Sequence, residues 1–203
     1  ENVPEGDSVS EGAKTESQDK EASKILNIGL INDPPTFSPL FKNSEYLDLL
    51  FLPLVEIDDD LSYKNLLAEE ITTEDNQTFK VKILDNLTWT DGTPVTADDV
   101  LFTIGLFTSK DVASSFTSAF NILEGTDENG YSTSADGTIT GARKAADNVV
   151  ELKTKVPTAL STLQGSVGIK LRTLPKHILE GEDYSSLQEN EFFQNPSVSD
   201  GPF

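Results

Sequence analysis

Trp89-Thr90-Asp91-Gly92-Thr93-Pro94-Val95-Thr96-Ala97-Asp98-Asp99-Val100 is the stretch that decides the fold. Asp91-Gly92 predicts a tight turn, because glycine tolerates positive φ and aspartate bonds its own backbone. Pro94 fixes an extended approach, and Thr96 is placed to cap a helix. The spacing T-x-x-D from Thr96 to Asp99 predicts a capping box with Asp in the usual Glu position. Asp98 and Asp99 then fall in the first helical turn, where the helix dipole favours negative charge. The local chemistry therefore reads strand, tight turn, capped helix. Trp89, ending an apolar strand beside that turn, reads as a core residue in preference to a ligand-stacking one.

Outward from this point the chain alternates strand and helix signals. On the C-terminal side, Ala97 to about Ser109 predicts a helix with Val100, Leu101, Ile104 and Phe107 on one side. Ile139–Ala145 and Val149–Lys153 predict a hairpin around Asp147-Asn148. A short helix near Ala159–Gln164, a strand Ile169–Thr173 and a helical turn Pro175–Leu179 come next. On the N-terminal side, Phe79, Val81 and Ile83 alternate as in a half-buried strand, paired across Asp75-Asn76 with Ile71 and Thr73. Ser44 can cap a short helix through Phe51 that buries Tyr46, Leu47, Leu50 and Phe51. Ile25, Ile28, Leu30 and Ile31 read as a buried strand ended by Asp33-Pro34-Pro35. No internal repeat is present. The fold class is α/β with substantial antiparallel content.

The 203 residues carry 35 acidic and 15 basic side chains, a formal net charge of −20. That balance argues against nucleic acid, whose backbone demands Lys and Arg, and against docking on an anionic membrane by charge alone. No apolar run approaches the ~18 residues of a membrane-spanning helix. With no cysteine, disulfides, thiolate metal sites and cysteine nucleophiles are excluded. Methionine is also absent, and the expectation is a processed or excised chain with any signal peptide upstream. Glu1–Ser23 holds seven acidic and two basic residues, with only Val3, Val9, Ala13 and Ala22 as apolar contributions. Such a segment cannot bury enough surface to offset ordering entropy, so 1–23 is expected to be a disordered acidic tether.

Little in the sequence suggests catalysis. His177 is the sole histidine. A Ser-His-Asp triad would rest wholly on it, and its expected role is structural, at a helix start and bonded to nearby backbone. No G-x-S-x-G or P-loop pattern occurs, and no cofactor is expected. Asp127-Glu128-Asn129-Gly130 faintly suggests a calcium loop, yet Thr138 stands where an EF-hand needs its bidentate Glu, so a solvated turn is expected.

The twelve-residue stretch closely resembles the signature of the family 5 extracellular solute-binding proteins, the receptors of oligopeptide, dipeptide and nickel ABC importers. Further segments resemble the same family in order and spacing: Lys24–Pro39, Leu54–Asp60, Leu67-Ala68-Glu69, Thr78–Leu84, Leu174–Leu179 and Asp200–Phe203. Ser199-Asp200 departs from the pattern by replacing a glycine-containing step, and the loop Gly125–Gly137 is unusually acidic. Family members are much longer, so the resemblance implies an N-terminal portion.

The implied fold is periplasmic-binding-protein-like, type II, with an incomplete N-terminal lobe. Residues 24–43 and 157–203 would be first-lobe segments and 44–156 an inserted smaller subdomain. The second lobe would come after Phe203. The implied function is capture of extracellular peptides, or another small ligand, by closure of two lobes, with no enzymatic step. The implied partner is the membrane permease of an ABC importer. Localisation would be the outer face of the cell membrane through a lipid anchor upstream of Glu1, or the periplasm, and the receptor would be a monomer. The ligand face is expected at Asp33, Pro34, Pro35 and Thr36, where prolines hold a loop extended for main-chain pairing. Phe116 or Phe120 would supply an aromatic contact near Phe203; for both phenylalanines the competing role is subdomain core. Two rival classes are a secreted carboxylate-dependent hydrolase, favoured by acidic composition, and a surface interaction module, which the tether would allow.

Overall fold

The signature builds its predicted turn and helix. In the computed structural model, which describes Gly29, residues 36–42 and residues 45–202, Gly92 takes φ 87° at the turn, a conformation that costs glycine little. Helix α1 (Ala97–Thr108) starts on a complete capping box. The Thr96 hydroxyl accepts from the Asp98 N–H at 3.3 Å, and Asp99 Oδ2 accepts from the Thr96 N–H at 2.9 Å. Asp99 is buried and its other oxygen accepts from the Lys176 N–H at 3.0 Å. The cap thus joins two parts of the chain. Thr96→Ala should cost ~1 kcal/mol of stability. Asp99→Ala should cost more, at least about 2 kcal/mol, because two backbone donors lose a charged acceptor. Urea denaturation of both variants checks the order, and equal losses would reduce Asp99 to a local cap.

Beside α1 lies a four-stranded antiparallel sheet of β3 (Ala68–Thr73), β4 (Thr78–Ile83), β5 (Ala142–Ala146) and β6 (Val149–Lys153), in the order β3-β4-β6-β5. The expected pairing holds, with Ile71 opposite Val81 and Thr73 opposite Phe79. At the connecting turn Asp75 Oδ1 accepts from the Gln77 and Thr78 N–H groups at 2.8 and 2.6 Å. Phe79, Val81 and Ile83 of β4 and Val150 and Leu152 of β6 are buried, as the period of two requires. The second hairpin turns at Asp147-Asn148, and its first strand begins at Ala142, three residues later than expected. The Ala97 N–H donates to Asp147 O at 2.8 Å, and Lys144 pairs with Asp98 at 2.7 Å, so α1 is held against this hairpin. A separate two-stranded ribbon joins β1 (Val55–Ile57) to β2 (Tyr63–Asn65).

Several expectations are corrected. Segment 169–173 is not a strand. Helix α2 (Leu160–Leu163) widens into a π turn over Gln164–Gly168, and Ile169 still has helical dihedrals. The rest of the segment makes one isolated bridge, Arg172 to Pro53; Pro53 has no N–H, which denies a ladder one of its donors. Leu101 is only partly buried, at the margin of the cluster that holds Val100, Ile104 and Phe107. In the 3₁₀ turn Glu45–Leu49 and just beyond it, Leu47 and Phe51 are fully buried but Tyr46 and Leu50 only partly. The expected helical turn at Pro175–Leu179 is present as α3 (Lys176–Leu179), with Pro175 at its N-cap. The tether 1–23, the strand near Ile25–Ile31 and the Ser44 cap lie outside the described residues.

One buried cluster runs through all of this. It includes Leu40, Phe51, Trp89, Phe107, Phe120, Leu171, Leu174 and Phe193. Trp89 is fully buried, as expected of a core residue.

Candidate ligand-binding face

Five segments, 36–42, the turn that follows it, the loop after α1, 169–173 and 200–201, are linked by direct contacts. Residues 36–42 meet the loop after α1 where Leu40 O accepts from the Ser115 N–H at 3.1 Å and from the Ser114 hydroxyl. Ser114 Oγ in turn accepts from the Phe116 N–H at 3.2 Å, fixing the start of that aromatic residue's turn. Phe37 and Tyr46 pack edge to face at 5.9 Å, which ties 36–42 to the turn at Glu45–Leu49. Beyond it, Leu50 O accepts from the Asp200 and Gly201 N–H groups at 3.1 and 3.0 Å. A Cβ on Gly201 would lie 2.2 Å from Leu49 O, so this approach demands glycine. Finally, Arg172 Nε donates to Asp48 Oδ1 at 2.6 Å, binding segment 169–173 to the same turn.

The expected ligand residues do not all behave alike. Thr36 is buried; its hydroxyl donates to Phe193 O at 3.4 Å and accepts from the Ser38 N–H at 3.1 Å, so its side chain turns inward. Phe116 is half-exposed and Lys170 Nζ lies 5.0 Å from its ring centroid, within cation–π range. Phe120 corrects the expectation: it is fully buried and stacked on Phe107 at 4.8 Å, because the 3₁₀ turn Thr117–Phe120 rolls it under α1. Asp33, Pro34, Pro35 and Phe203 lie outside the described residues. Lys170 was missed by sequence reasoning. Its only signal was the pair of cations Lys170 and Arg172 in G-I-K-L-R within a strongly acidic chain.

Burial is the first cause that lowers the Lys170 pKa, and the like charge of Arg172 is the second. Elsewhere, His177 corrects its expected backbone bonding, since Nε2 meets Asp91 Oδ2 of the signature turn at 2.9 Å. Backbone donation from Thr93 first, and the His177 contact after it, hold Asp91 below the usual carboxylate range. Asp127 closes its own turn, accepting from the Asn129 and Tyr131 N–H groups at 2.9 Å each. Among the described residues, no group of three or more His, Cys, Asp or Glu side chains is placed to hold a metal ion. A groove of about 870 Å³ opens on another side, between Leu101, Phe102 and Gly105 of α1 and the loop at Ser132–Thr138. Among the described residues, the expected ligand residues Thr36, Phe116 and Phe120 do not line it.

The family model for bacterial extracellular solute-binding proteins, family 5 Middle, matches residues 62–203. The oligopeptide-binding protein AppA of Bacillus subtilis is 29% identical over 183 residues, which cover 88% of this chain and 30% of AppA. The structure of that protein in complex with a nonapeptide gives a TM-score of 0.71 at 28% identity, over 86% of this chain and 32% of the other. The substrate-binding protein CtaP of Listeria monocytogenes gives 0.65 at 25% identity, over 85% and 32%. The substrate-binding domain of an oligopeptide ABC transporter from Bacillus anthracis shares the fold, with a TM-score of 0.69 at 16% identity, over 83% and 32%. The chain therefore spans about a third of the length of these relatives. Its fold is α/β and periplasmic-binding-protein-like, type II. By its signature and by the match of residues 62–203, the chain belongs to the bacterial extracellular solute-binding proteins, family 5.

Proposed function

We propose that the chain is part of the substrate-binding receptor of an ABC importer and helps to capture extracellular peptides. The observation that carries this reading is its likeness, at 28% identity and a TM-score of 0.71, to an oligopeptide-binding protein solved with a nonapeptide bound. The mechanism is a shift between open and closed arrangements of two lobes, with differential contact to the ligand as its driving force. In this reading 24–43 and 157–203 contribute to the first lobe, 44–156 forms the subdomain beside it, and 1–23 is a tether. A lipid anchor upstream, a monomeric receptor, a permease partner and the lack of any catalytic step belong to the same proposal. Neither the hydrolase nor the surface-module alternative has a supporting feature among the described residues.

In the same reading Phe116 belongs to the ligand face of this half, to which the sequence also assigns Asp33, Pro34, Pro35 and Phe203. An aromatic face gives apolar contact that tolerates varied side chains, and a proline-held loop leaves backbone groups free to pair with an extended peptide. In the intact receptor containing residues 1–203, Phe116→Ala should weaken nonapeptide binding about tenfold, or about 1.4 kcal/mol. Calorimetric titration together with thermal melting checks this. A melting temperature several degrees lower with unchanged affinity would assign Phe116 to the core and remove it from the face.

A further inference from the structure

The half-buried ammonium of Lys170 is out of keeping with its surroundings. The chain carries a net charge of −20, and seven of its twelve described Lys and Arg residues are in ion pairs: Lys64 with Glu56, Lys82 with Glu69 and Asp85, Arg143 with Glu151, Lys144 with Asp98 and Asp147, Lys153 with Glu124, Arg172 with Asp48 and Lys176 with Glu180. Lys170 is partly shielded from water, yet no carboxylate of the described residues lies within ion-pair distance of it. What faces it is the ring of Phe116 at 5.0 Å. The charge acting on it is that of Arg172, of the same sign, and Arg172 is committed to Asp48 and to Ile169 O at 3.3 Å. Nor can the residue simply swing away with its backbone. The Lys170 and Leu171 N–H groups donate to Val167 O at 3.1 and 2.9 Å, and Leu171 O accepts from the Leu54 N–H at 3.2 Å.

We propose that Lys170, seated over Phe116, selects for ligands that carry a carboxylate. An ammonium that is partly desolvated and has no counter-ion among the described residues gains more from an incoming anion than one already paired in water. The acidic field of the whole chain disfavours anionic ligands at long range, so one local cation on the binding face is what lets them compete. The inference rests on the reading that Phe116 lies on the peptide face.

The test uses the intact receptor and nonapeptides of Ala and Ser bearing a single Glu at each position in turn, with Gln counterparts. Each peptide is made with a free and with an amidated C-terminus. Wild type should bind the best Glu or free-acid peptide at least tenfold more tightly than its neutral counterpart. Lys170→Met should abolish that preference while leaving neutral peptides within threefold, and Lys170→Arg should restore it. Loss of the preference on Glu→Gln assigns the side-chain carboxylate, and loss on amidation assigns the C-terminal one. Should the methionine variant fail to fold, Lys170→Gln answers the same question. A carboxylate preference unchanged in the variants, or absent in wild type that does bind the peptides, overturns the role of Lys170 and leaves the receptor reading intact. Wild type that binds no peptide overturns the reading and the role together.

Discussion

At pH 8 and above, Asp200→Asn will make the chain several kcal/mol more stable than its parent, whereas near pH 4 the two will be alike. Asp200 is buried. Its Oδ1 accepts from the Leu52 N–H at 3.0 Å and its Oδ2 has no hydrogen-bond partner. Burial, opposed in part by that hydrogen bond, pushes its pKa up from 3.8 to about 8. A carboxyl that holds its proton more tightly when folded stabilises the fold fully below the unfolded pKa. That contribution is lost as pH rises through the folded one, at about 1.4 kcal/mol per pH unit. The window is therefore pH 4 to 8. Asp75 and Asp136, whose pKa values are lowered to about 2, act with the opposite sign below that window. Their stabilisation is present above 3.8 and lost as pH falls toward 2. Urea midpoints of parent and variant across pH 4–9 test the claim. Curves that run parallel would mean that Asp200 ionises without cost, and that its carboxyl is solvated.

Phe120→Ala should lower stability by about 3–5 kcal/mol, the cost of truncating a fully packed aromatic. The ring is fully buried and stacked on Phe107 with an interplanar angle of 21°, so the cavity forms at the seam between α1 and the turn beyond it. In the intact receptor, peptide affinity measured well below the melting temperature should stay within threefold. A loss under 1 kcal/mol, or a fall in affinity at unchanged stability, would return Phe120 to the ligand face. The contrast with Phe116→Ala is the useful part, because the two residues stand four apart, Phe116 partly buried at the edge of the core and Phe120 fully within it.

That division was not legible in the sequence. Both phenylalanines sit in one polar stretch, D-V-A-S-S-F-T-S-A-F, and only the seating of the turn against Phe107 separates them. What could be read was chemistry complete within a few residues. The reciprocal bonds of the T-x-x-D cap form within one turn, though the Asp99 bond to Lys176 was not foreseen, and the β3–β4 pairing comes from alternation on either side of Asp75-Asn76. What could not be read depends on distant partners. His177 finds Asp91 86 residues away, and Arg172 finds Asp48 124 residues away. Segment 169–173 has the composition of a strand, but the π turn before it and Pro53 opposite leave it with a single bridge. Asp200 stood out only as a departure from the family pattern; its burial arises from where Leu50 and Leu52 come to lie.

Five polar side chains of the signature, those of Thr90, Asp91, Thr96, Asp98 and Asp99, are spent internally. Thr90 exchanges bonds with Ser199, its N–H donating at 2.9 Å and its hydroxyl accepting at 3.1 Å. Asp91 holds Thr93 and His177, Asp98 holds Lys144, and Asp99 spans from Thr96 to Lys176. Neither Phe116 nor Lys170 takes part in these bonds, so under the proposed ligand face substitutions there would leave this joint undisturbed. Drift in the joint would cost the fold before it altered the cargo. The twelve residues that carry this chain's resemblance to its family are, for that reason, silent on its cargo.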